Sequence, residues 1–246
     1  MTEKKIYSEP RTLDTYSCDQ HREAKLSGIL QITQDAGKRQ MDIDKPSYEE
    51  LQDQGKALML SRLDLKIYDR IYCDEPVTVL TCACGNSRAT FPRMYYVEKD
   101  GKLMAEVASQ WALVDMETRK ILKADEADFS NFYMGEYKEL FDRKFKIPKD
   151  AGFETVGAHR VSYSNLDNNG HMNNTFYADV LCDHIPELEA GTHRVSGLRI
   201  HYSKEAPLGD VITILRTAVK DGAYMFRTVK ENGETNIEAE ISLTER

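Results

Sequence analysis

The chain contains an internal repeat, and this repeat limits its possible folds more than any other feature of the sequence. Residues 63–80 (LDLKIYDRIYCDEPVTVL) align without a gap with residues 198–215 (LRIHYSKEAPLGDVITIL), at an offset of 135. Leu63 is matched by Leu198, and the alternation of apolar residues coincides at both ends of the segment. Because such alternation is typical of strands, we expect a strand-rich unit to occur twice.

A second correspondence lies upstream of each segment. TYSCDQHREAKLSGILQITQDAG begins at Thr15, and SYSNLDNNGHMNNTFYADVLCDH begins at Ser162. Each passes an Asp and enters a helical pattern whose apolar residues share one face. The residues of these faces are Leu26, Ile29, Leu30 and Thr33 in the first half and Met172, Phe176 and Val180 in the second. The order turn, helix, strand, strand thus occurs twice, with a period of roughly 140 residues, which is too long for a solenoid.

Further antiparallel strands are predicted after the helices, at residues 86–97, 103–114, 211–219 and 223–229. Asp-Gly pairs in EKDGK and KDGA indicate hairpin turns. Each half therefore combines one helix with an antiparallel sheet, which is an α+β plan.

The domain limits follow from this plan. Residues 126–148 mix charged and aromatic side chains between the two halves, so we interpret them as a linker. The first domain then covers residues 1–125, and the second covers residues 149–246.

The composition is that of an ordinary globular protein, and it argues against several classes of function. No apolar run approaches the roughly 20 residues that cross a bilayer, so membrane insertion is not expected. The net charge of −8 disfavours nucleic acid as a partner. The five cysteines form no CxxC pair, and the N-terminus lacks the apolar core of a signal peptide, so we expect a cytoplasmic protein.

The stretch NLDNNGHMNN, residues 165–174, is either a structural turn or part of a site. Asn-Gly at 169–170 is a strong turn signal, and one of the following asparagines could cap the next helix. A calcium loop that starts at Asp167 fails, because Met172 stands where such a loop needs Gly. One His without a second ligand at suitable spacing is also a poor transition-metal site. We therefore expect no metal and no cofactor.

A chemical interpretation of this stretch is more specific, since Asp167, Asn169 and His171 lie at alternate positions before a helix. If the stretch is extended, their side chains point the same way and offer acid–base and hydrogen-bonding groups. A helix start also exposes N–H groups that suit an anionic intermediate, and those of Met172 or Asn173 are the candidates. No GxSxG elbow is present, so a Ser triad is poorly supported.

Several segments together resemble a known family. LDNNGHMNNTFYADVL, from Leu166, is similar to the D-x-N-x-H-x-N-N…Y signature of the acyl-acyl-carrier-protein thioesterases, which release fatty acids in plants and bacteria. LSGILQITQDAG, from Leu26, and ASQWALVDMETRKILK, from Ala108, are similar to two further patterns of that family. The resemblance spans almost the whole chain. It implies a tandem double hotdog, in which two antiparallel sheets are each wrapped around a central helix.

The resemblance also implies a set of catalytic residues. Asp167, Asn169 and His171 fill the Asp, Asn and His positions of the motif, and YSKEAPLGD supplies a later carboxylate as Glu205. Many relatives have cysteine where this chain has Ala206, so a cysteine nucleophile at that position is excluded. Glu205 is then expected to act as general base or nucleophile, and His171 to orient or relay the proton. Asn169 is expected to bind the carbonyl oxygen, and Asp167 to hold the loop.

The repeat predicts that only the second half is catalytic. The first-half counterparts of Asp167, Asn169, His171 and Glu205 are Asp19, His21, Glu23 and Arg70, at offsets of 148 for the first three and 135 for the last. The first half thus keeps an Asp but lacks the Asn-x-His pair and the carboxylate. We expect one site per chain, with the first half forming the acyl-chain pocket, as the resemblance also implies.

The predicted reaction is hydrolysis of fatty acyl thioesters of acyl carrier protein in bacterial fatty acid biosynthesis. An acyl-coenzyme A thioesterase and a non-catalytic acyl-binding hotdog protein remain as alternatives. A hotdog hydratase fits poorly, because its D-x-N-P-x-H pattern needs a Pro after Asn169. Acyl carrier protein is acidic, so its docking needs a local basic surface. The candidate clusters are Arg143, Lys144, Lys146 and Lys149, and Arg119, Lys120 and Lys123.

Overall fold

The computed structural model describes residues 5–85, 89–148 and 150–246. Two compact units make up the chain, the first ending at Leu140 and the second beginning at Phe141. The first fifteen residues of the segment interpreted as a linker, 126–140, thus belong to the first unit. Phe129 and Phe132 of this segment join a buried cluster with Phe91. The domain limits drawn from the sequence stay a prediction.

The first unit is an antiparallel sheet with one long helix. Its described elements are β1 (Tyr7–Thr12), α1 (Leu26–Asp44), α2 (Tyr48–Asp53), β2 (Lys56–Ile67), β3 (Pro76–Cys84), β4 (Thr90–Lys99), β5 (Lys102–Asp115) and β6 (Met134–Gly135). The hydrogen-bonded order is β1-β3-β4-β5-β2, with β6 parallel to β3. Helix α1 packs against β1, β3 and β4. Its predicted apolar face is buried as expected.

The second unit repeats this sheet with shorter helices. Its described elements are β7 (Glu154–Arg160), α3 (Phe176–Cys182), α4 (Pro186–Glu189), β8 (His193–Tyr202), β9 (Val211–Arg216), β10 (Ala223–Lys230) and β11 (Thr235–Glu245). The hydrogen-bonded order is β7-β9-β10-β11-β8, which is the order of the first sheet with each strand replaced by its counterpart. The duplication and the antiparallel α+β plan are therefore confirmed.

The hairpin signals correspond to observed turns. Asp100 and Gly101, between β4 and β5, have φ values of 51° and 77°. Asp221 and Gly222, before β10, have φ values of 52° and 72°. Two consecutive residues at positive φ match the twist of antiparallel strands, and Asp-Gly is a favoured pair for them. Both hairpin predictions are confirmed.

Some elements differ from the sequence-based expectations. Strands β1, β7 and β11 were not among the predicted strands, and residues 86–88 of the predicted strand 86–97 lie outside the described residues. In the second half the predicted helix face is wrong, because α3 begins only at Phe176. Its buried residues are Tyr177, Ala178 and Leu181. Among the described residues, the helices are too short or too polar to span a bilayer.

Candidate active site

The stretch containing Asn-Gly forms a tight turn between a 3₁₀ turn (Tyr163–Asn165) and α3. The N–H of Gly170 donates to the carbonyl of Asp167 at 3.1 Å, and the N–H of Asp167 donates to the carbonyl of His171 at 2.8 Å. Oδ1 of Asp167 accepts the N–H groups of Asn169 at 2.8 Å and His171 at 3.3 Å. Gly170 has a φ of 78°, which glycine adopts without steric cost. The predicted turn is confirmed, and the carboxylate of Asp167 locks it.

Glu205 reaches this turn from the connection between β8 and β9. Nε2 of His171 lies 3.2 Å from Oε2 of Glu205. The two side chains are 19% and 31% exposed, so both are accessible to a bound molecule. A carboxylate at this distance fixes the imidazole ring and can exchange a proton with it. The structure thus places His171 and Glu205 in side-chain contact, as their shared assignment to one site requires.

Backbone contacts hold the Glu205 segment against the turn. The N–H of Met172 donates to the carbonyl of Ala206 at 2.8 Å. His171 forms an isolated antiparallel bridge with Pro207. Ala206 is fully buried, which anchors the residue that follows Glu205. The position of the carboxylate is therefore set by the turn as well as by β8.

Lys230, at the end of β10, also contacts this segment. Its Nζ donates to the carbonyl of Glu205 at 3.0 Å and forms an ion pair with Oδ2 of Asp210 at 2.8 Å. The lysine side chain is 18% exposed, so solvent screens the ion pair only in part. Lys230 thereby connects Glu205 and Asp210, both in the segment between β8 and β9, to β10.

The stretch does not adopt the extended conformation under which the three side chains would point the same way. Residues 167–171 turn back on themselves, because the Asp167 carboxylate accepts two N–H groups of its own turn. The side chains of Asp167, Asn169 and His171 therefore do not project from one strand face. Asp167 serves the turn backbone, whereas His171 contacts Glu205.

The expectation that the N–H groups of Met172 and Asn173 bind an oxyanion is also wrong. The N–H of Met172 is occupied by the carbonyl of Ala206, and the N–H of Asn173 donates to the carbonyl of Asn165 at 2.8 Å. The side chain of Asn173 instead accepts the N–H of Thr175 at 3.0 Å. The N-cap of α3 is Thr175, without a side-chain capping hydrogen bond, so the expected cap by an asparagine is wrong. These N–H groups are structural.

Asn169 lies on the exposed side of the turn. Its backbone N–H is held by Asp167, so the predicted contact with a carbonyl oxygen would have to come from the side-chain amide. This role of Asn169 stays a prediction.

Tyr177 of α3, Tyr202 and Asn236 form further hydrogen bonds near the turn. The hydroxyl of Tyr202 donates to the carbonyl of Asn174 at 2.9 Å, and Nδ2 of Asn236 donates to the hydroxyl oxygen of Tyr177 at 3.1 Å. Burial raises the pKa of Tyr177 to about 12, and burial beside Tyr177 raises the pKa of Tyr202 above the usual value. Both phenols stay protonated near neutral pH, so they serve as hydrogen-bonding groups rather than bases.

Sequence reasoning missed this buried set. Tyr177 is the final residue of the quoted motif, but no role followed from it. Asn236 lies in a strand that was not predicted. A comparison of the two halves could have pointed to Asn236, but that comparison requires the register of the strands.

The first unit repeats the same turn with other side chains. Oδ1 of Asp19 accepts the N–H groups of His21 at 2.8 Å and Glu23 at 2.9 Å. The N–H of Asp19 donates to the carbonyl of Glu23 at 2.8 Å, and the N–H of Arg22 donates to the carbonyl of Asp19 at 3.0 Å. Oε1 of Glu23 lies 3.5 Å from Nε of Arg70. A Glu–Arg ion pair therefore stands where the second unit has its His–Glu pair.

The correspondences at offsets of 148 and 135 are confirmed by these contacts. The bridge between Glu23 and Tyr72 matches that between His171 and Pro207. The 3₁₀ turn Thr15–Ser17 corresponds to Tyr163–Asn165, so the offset of 148 holds up to the turn. Among the residues that the structure describes in the first unit, no His faces a carboxylate at this position.

The predicted basic clusters have different surroundings. Arg143 forms a close ion pair with Glu240, and its carbonyl accepts Nη1 of Arg199 at 2.6 Å. Lys144 and Lys146 are exposed, whereas the predicted Lys149 lies outside the described residues. All members of the second cluster, Arg119, Lys120 and Lys123, are exposed. A docking role for either cluster stays a prediction.

The described residues were also compared with the ligand sets of metal sites. Within residues 5–85, 89–148 and 150–246, no three side chains of His, Cys, Asp or Glu are grouped so that they could hold a metal ion. The five cysteines are free thiols.

Comparison with known proteins covers almost the whole chain. The model described as the acyl-ACP thioesterase N-terminal domain matches residues 4–133, and the model of the acyl-ACP thioesterase C-terminal domain matches residues 149–245. Oleoyl-acyl carrier protein thioesterase 2 of Arabidopsis thaliana, a chloroplastic protein, is 23% identical over 189 residues, covering 71% of this chain and 51% of the relative. The chain thus spans about half the length of this curated relative.

Solved structures show the fold. An acyl-ACP thioesterase from Bacteroides thetaiotaomicron superposes with a TM-score of 0.87 at 19% identity, over 97% of this chain and 98% of that one. The 12:0-ACP thioesterase from Umbellularia californica gives a TM-score of 0.83 at 15% identity, over 98% of each chain. These likenesses and the antiparallel sheets indicate a hotdog-type fold. Since the two family models together cover both units, the chain belongs to the acyl-ACP thioesterase family.

Proposed function

We propose that this protein hydrolyses fatty acyl thioesters of acyl carrier protein, releasing the free fatty acid and the carrier thiol. The observation that carries this proposal is the contact of 3.2 Å between Nε2 of His171 and Oε2 of Glu205, in a chain of this family. It is supported by the first unit, where the equivalent residues form an ion pair that cannot exchange a proton near neutral pH.

The reaction needs one water and one transferable proton. Glu205 takes a proton from water as the water oxygen attacks the thioester carbonyl carbon, and the carbonyl oxygen becomes negatively charged. When this tetrahedral intermediate collapses, the carbon–sulfur bond breaks and the leaving sulfur receives the proton through His171. General acid–base help of this kind typically contributes about 10²- to 10⁴-fold. Attack by Glu205 itself, followed by hydrolysis of the anhydride, gives the same products.

The other predicted site residues support this pair. The exposed amide of Asn169 is proposed to donate to the developing oxyanion, because the neighbouring N–H groups of Met172 and Asn173 are occupied. One such donor is typically worth about 3 kcal/mol in the transition state. Asp167 keeps the turn closed through two N–H groups and so fixes the backbone on which His171 stands.

The finer architecture is part of the proposal. The chain is proposed to be a tandem double hotdog, each sheet wrapping its own helix, with catalysis in the second domain. The long helix α1 and its buried face support a first domain that receives the acyl chain. An acidic carrier protein is the proposed partner, with the exposed lysines Lys144 and Lys146 as one docking candidate. A bacterial cytoplasmic location also stays a prediction.

The test compares two thioester substrates and two variants. Acyl carrier protein and coenzyme A, each loaded with the same acyl chain, are incubated with the protein, and free thiol and fatty acid are measured. We expect faster hydrolysis of the carrier ester, and a loss of at least about tenfold in His171→Ala and Glu205→Gln. His21→Ala is the matched control, since His21 occupies the position of Asn169 in the first unit.

Each outcome of this test decides one point. Equal rates on both esters would favour an acyl-coenzyme A thioesterase. Binding of acyl carrier protein without hydrolysis would favour a non-catalytic acyl-binding protein. Full activity in both variants would contradict the catalytic roles proposed for His171 and Glu205. Mass spectrometry of the acids released from a mixed acyl-carrier pool then gives the preferred chain length.

A further inference from the structure

We propose that Asn236 is a positioning residue that fixes the backbone bearing Glu205, and that it distinguishes the catalytic half from its copy. The proposal concerns a buried polar side chain in β11 that is hydrogen-bonded to Thr228, Tyr177 and the carbonyl of Lys204. It rests on the function proposed for the His171–Glu205 pair.

The side chain of Asn236 is completely buried and makes three hydrogen bonds. Its Oδ1 accepts the hydroxyl of Thr228 at 2.8 Å. Its Nδ2 donates to the hydroxyl oxygen of Tyr177 at 3.1 Å and to the carbonyl of Lys204 at 2.5 Å. Asn236 therefore joins β10, α3 and the residue directly before Glu205.

Three consecutive carbonyls around Glu205 are each held by a different element. The carbonyl of Lys204 accepts Nδ2 of Asn236 in β11, and the carbonyl of Glu205 accepts Nζ of Lys230 in β10. The carbonyl of Ala206 accepts the N–H of Met172, which directly follows the turn. Because the peptide planes on both sides of Glu205 are fixed, its side chain starts from a defined direction.

Comparison with the first unit separates the general contacts from the special one. Oε2 of Glu75 lies 2.6 Å from Nζ of Lys99 at the end of β4, as Asp210 pairs with Lys230 at the end of β10. This lysine–carboxylate pair is thus present in both halves, including the half without a His–Glu pair. It is a feature of the repeated fold.

Asn236 has no polar counterpart in the first unit. The backbone carbonyl of Asn236 accepts the N–H groups of Ser203 at 2.9 Å and Lys204 at 3.1 Å. The backbone carbonyl of Met104 accepts the N–H groups of Tyr68 at 2.8 Å and Asp69 at 3.3 Å. Tyr68 and Asp69 lie 135 positions before Ser203 and Lys204. Met104 is therefore the counterpart of Asn236, and it is apolar and buried.

One partner of the Asn236 side chain, Tyr177, also has an apolar counterpart in the first half. At the offset of 148, Tyr177 corresponds to Ile29, which is buried in α1. A buried polar group costs free energy unless every partner is present. The second half keeps this network although the same backbone is built without it in the first half. We infer that the network serves the segment that carries Glu205.

The experiment replaces Asn236 in two ways and adds a matched control. Asn236→Leu removes all three hydrogen bonds. Asn236→Thr suits a strand, keeps one hydroxyl for Thr228 and cannot reach the carbonyl of Lys204. Phe226→Leu is the control, because Phe226 is a fully buried residue of the same unit that takes no part in the network. Thermal unfolding of the three variants identifies those that are folded.

We expect kcat on acyl carrier protein esters to fall about tenfold or more in Asn236→Thr, with KM within about twofold of the wild type, because small displacements of a catalytic group lower the rate steeply. Phe226→Leu should lower the melting temperature without this fall in kcat. A folded Asn236→Thr with wild-type kcat would overturn the proposal, and so would an equal fall in the control. If Asn236→Leu does not fold, Asn236→Thr still decides.

A second readout does not depend on turnover. The imidazole signals of His171 in a ¹⁵N-labelled sample, assigned with His171→Ala, report its contact with Glu205. They should shift in Asn236→Thr and stay unchanged in Phe226→Leu. An inactive wild-type protein would refute the proposed function, whereas unshifted His171 signals in Asn236→Thr would refute the positioning role.

Discussion

The two halves of this protein build one turn twice and equip it differently. In the first half, Asp19 closes the turn and Glu23 pairs with Arg70 at 3.5 Å. In the second, Asp167 closes the turn and His171 meets Glu205 at 3.2 Å. The two backbone hydrogen bonds that close the turn occur in both halves. The turn is therefore shared scaffold, and the halves differ in the pair of side chains that meet at it.

The difference between the two pairs lies in proton exchange. Arg70 carries a guanidinium that keeps its proton at any pH at which proteins fold, so its pair with Glu23 is a fixed electrostatic contact. An imidazole can lose and gain a proton near neutral pH. The position on the turn is the same in both halves, but it carries an imidazole in the second half and a carboxylate held by Arg70 in the first.

The largest effect is expected when the second turn receives the Glu–Arg pair of the first. We expect the double variant His171→Glu with Glu205→Arg to fold, since the first unit holds this pair on the same backbone. Its hydrolysis rate should fall at least about 100-fold, because the general base and the proton relay are both lost. Activity within tenfold of the wild type would show that the reaction does not depend on the pair.

Removal of the two locking carboxylates tests whether the turns are equivalent as scaffold. Asp19→Ala and Asp167→Ala each remove the acceptor of two backbone N–H groups. We expect each to lower the free energy of unfolding by about 1–3 kcal/mol, measured by denaturant titration. Only Asp167→Ala should also reduce hydrolysis, by about tenfold, because it moves His171. A similar loss of activity in Asp19→Ala would contradict the division of roles.

The ion pair of the first turn should matter for stability alone. In Arg70→Met, Glu23 keeps a side chain that is 11% exposed but loses its cation. We expect a small fall in the free energy of unfolding, because Arg70 is 36% exposed and solvent screens the pair. Hydrolysis per folded molecule should be unchanged. A fall in kcat without a change in the unfolding midpoint would assign the first turn a part in the reaction.

The smallest expected effect concerns the residue at positive φ. Gly170 has a φ of 78° and its counterpart Arg22 has a φ of 63°. A Cβ at Gly170 would meet no atom within 4 Å, so Gly170→Ala should cost only the backbone strain of about 1 kcal/mol. Arg22→Gly should change the free energy of unfolding by less, because relief of that strain is offset by the greater freedom of glycine in the unfolded chain. A large loss in Arg22→Gly would mean that its ion pair with Asp74 carries more than an exposed pair should.

Both members of the proposed pair could be predicted from the sequence, because the resemblance to the family supplied His171 and Glu205. The repeat added that Arg70 stands opposite Glu205 in the first half. The turn was predictable from Asn-Gly, whose preference for such φ values is local. These features depend on neighbouring residues or on a gap-free alignment, and the structure contains both the turn and the contact.

The predictions that were wrong depended on contacts that sequence spacing does not contain. The N–H groups of Met172 and Asn173 seemed available because a helix was expected to start there, but distant carbonyls already accept them. The role of Asn236 was hidden for another reason. The β3–β4 hairpin is four residues longer than its counterpart, since Thr78 pairs with Glu98 but Thr213 with Val229. The next turn is one residue longer in the second half. Asn236 therefore aligns with Met104 at an offset of 132 instead of 135.

A turn that is closed by its own aspartate does not need the residues displayed on it to stay folded. The first half illustrates this, since its turn keeps its shape with Arg22 and Glu23 where the second has Gly170 and His171. A duplicated gene can therefore exchange the displayed residues in one copy through folded intermediates, while the other copy maintains the reaction. The ancestor of such a chain could lose or gain an active site by substitution at a few positions, with no rearrangement of its sheet.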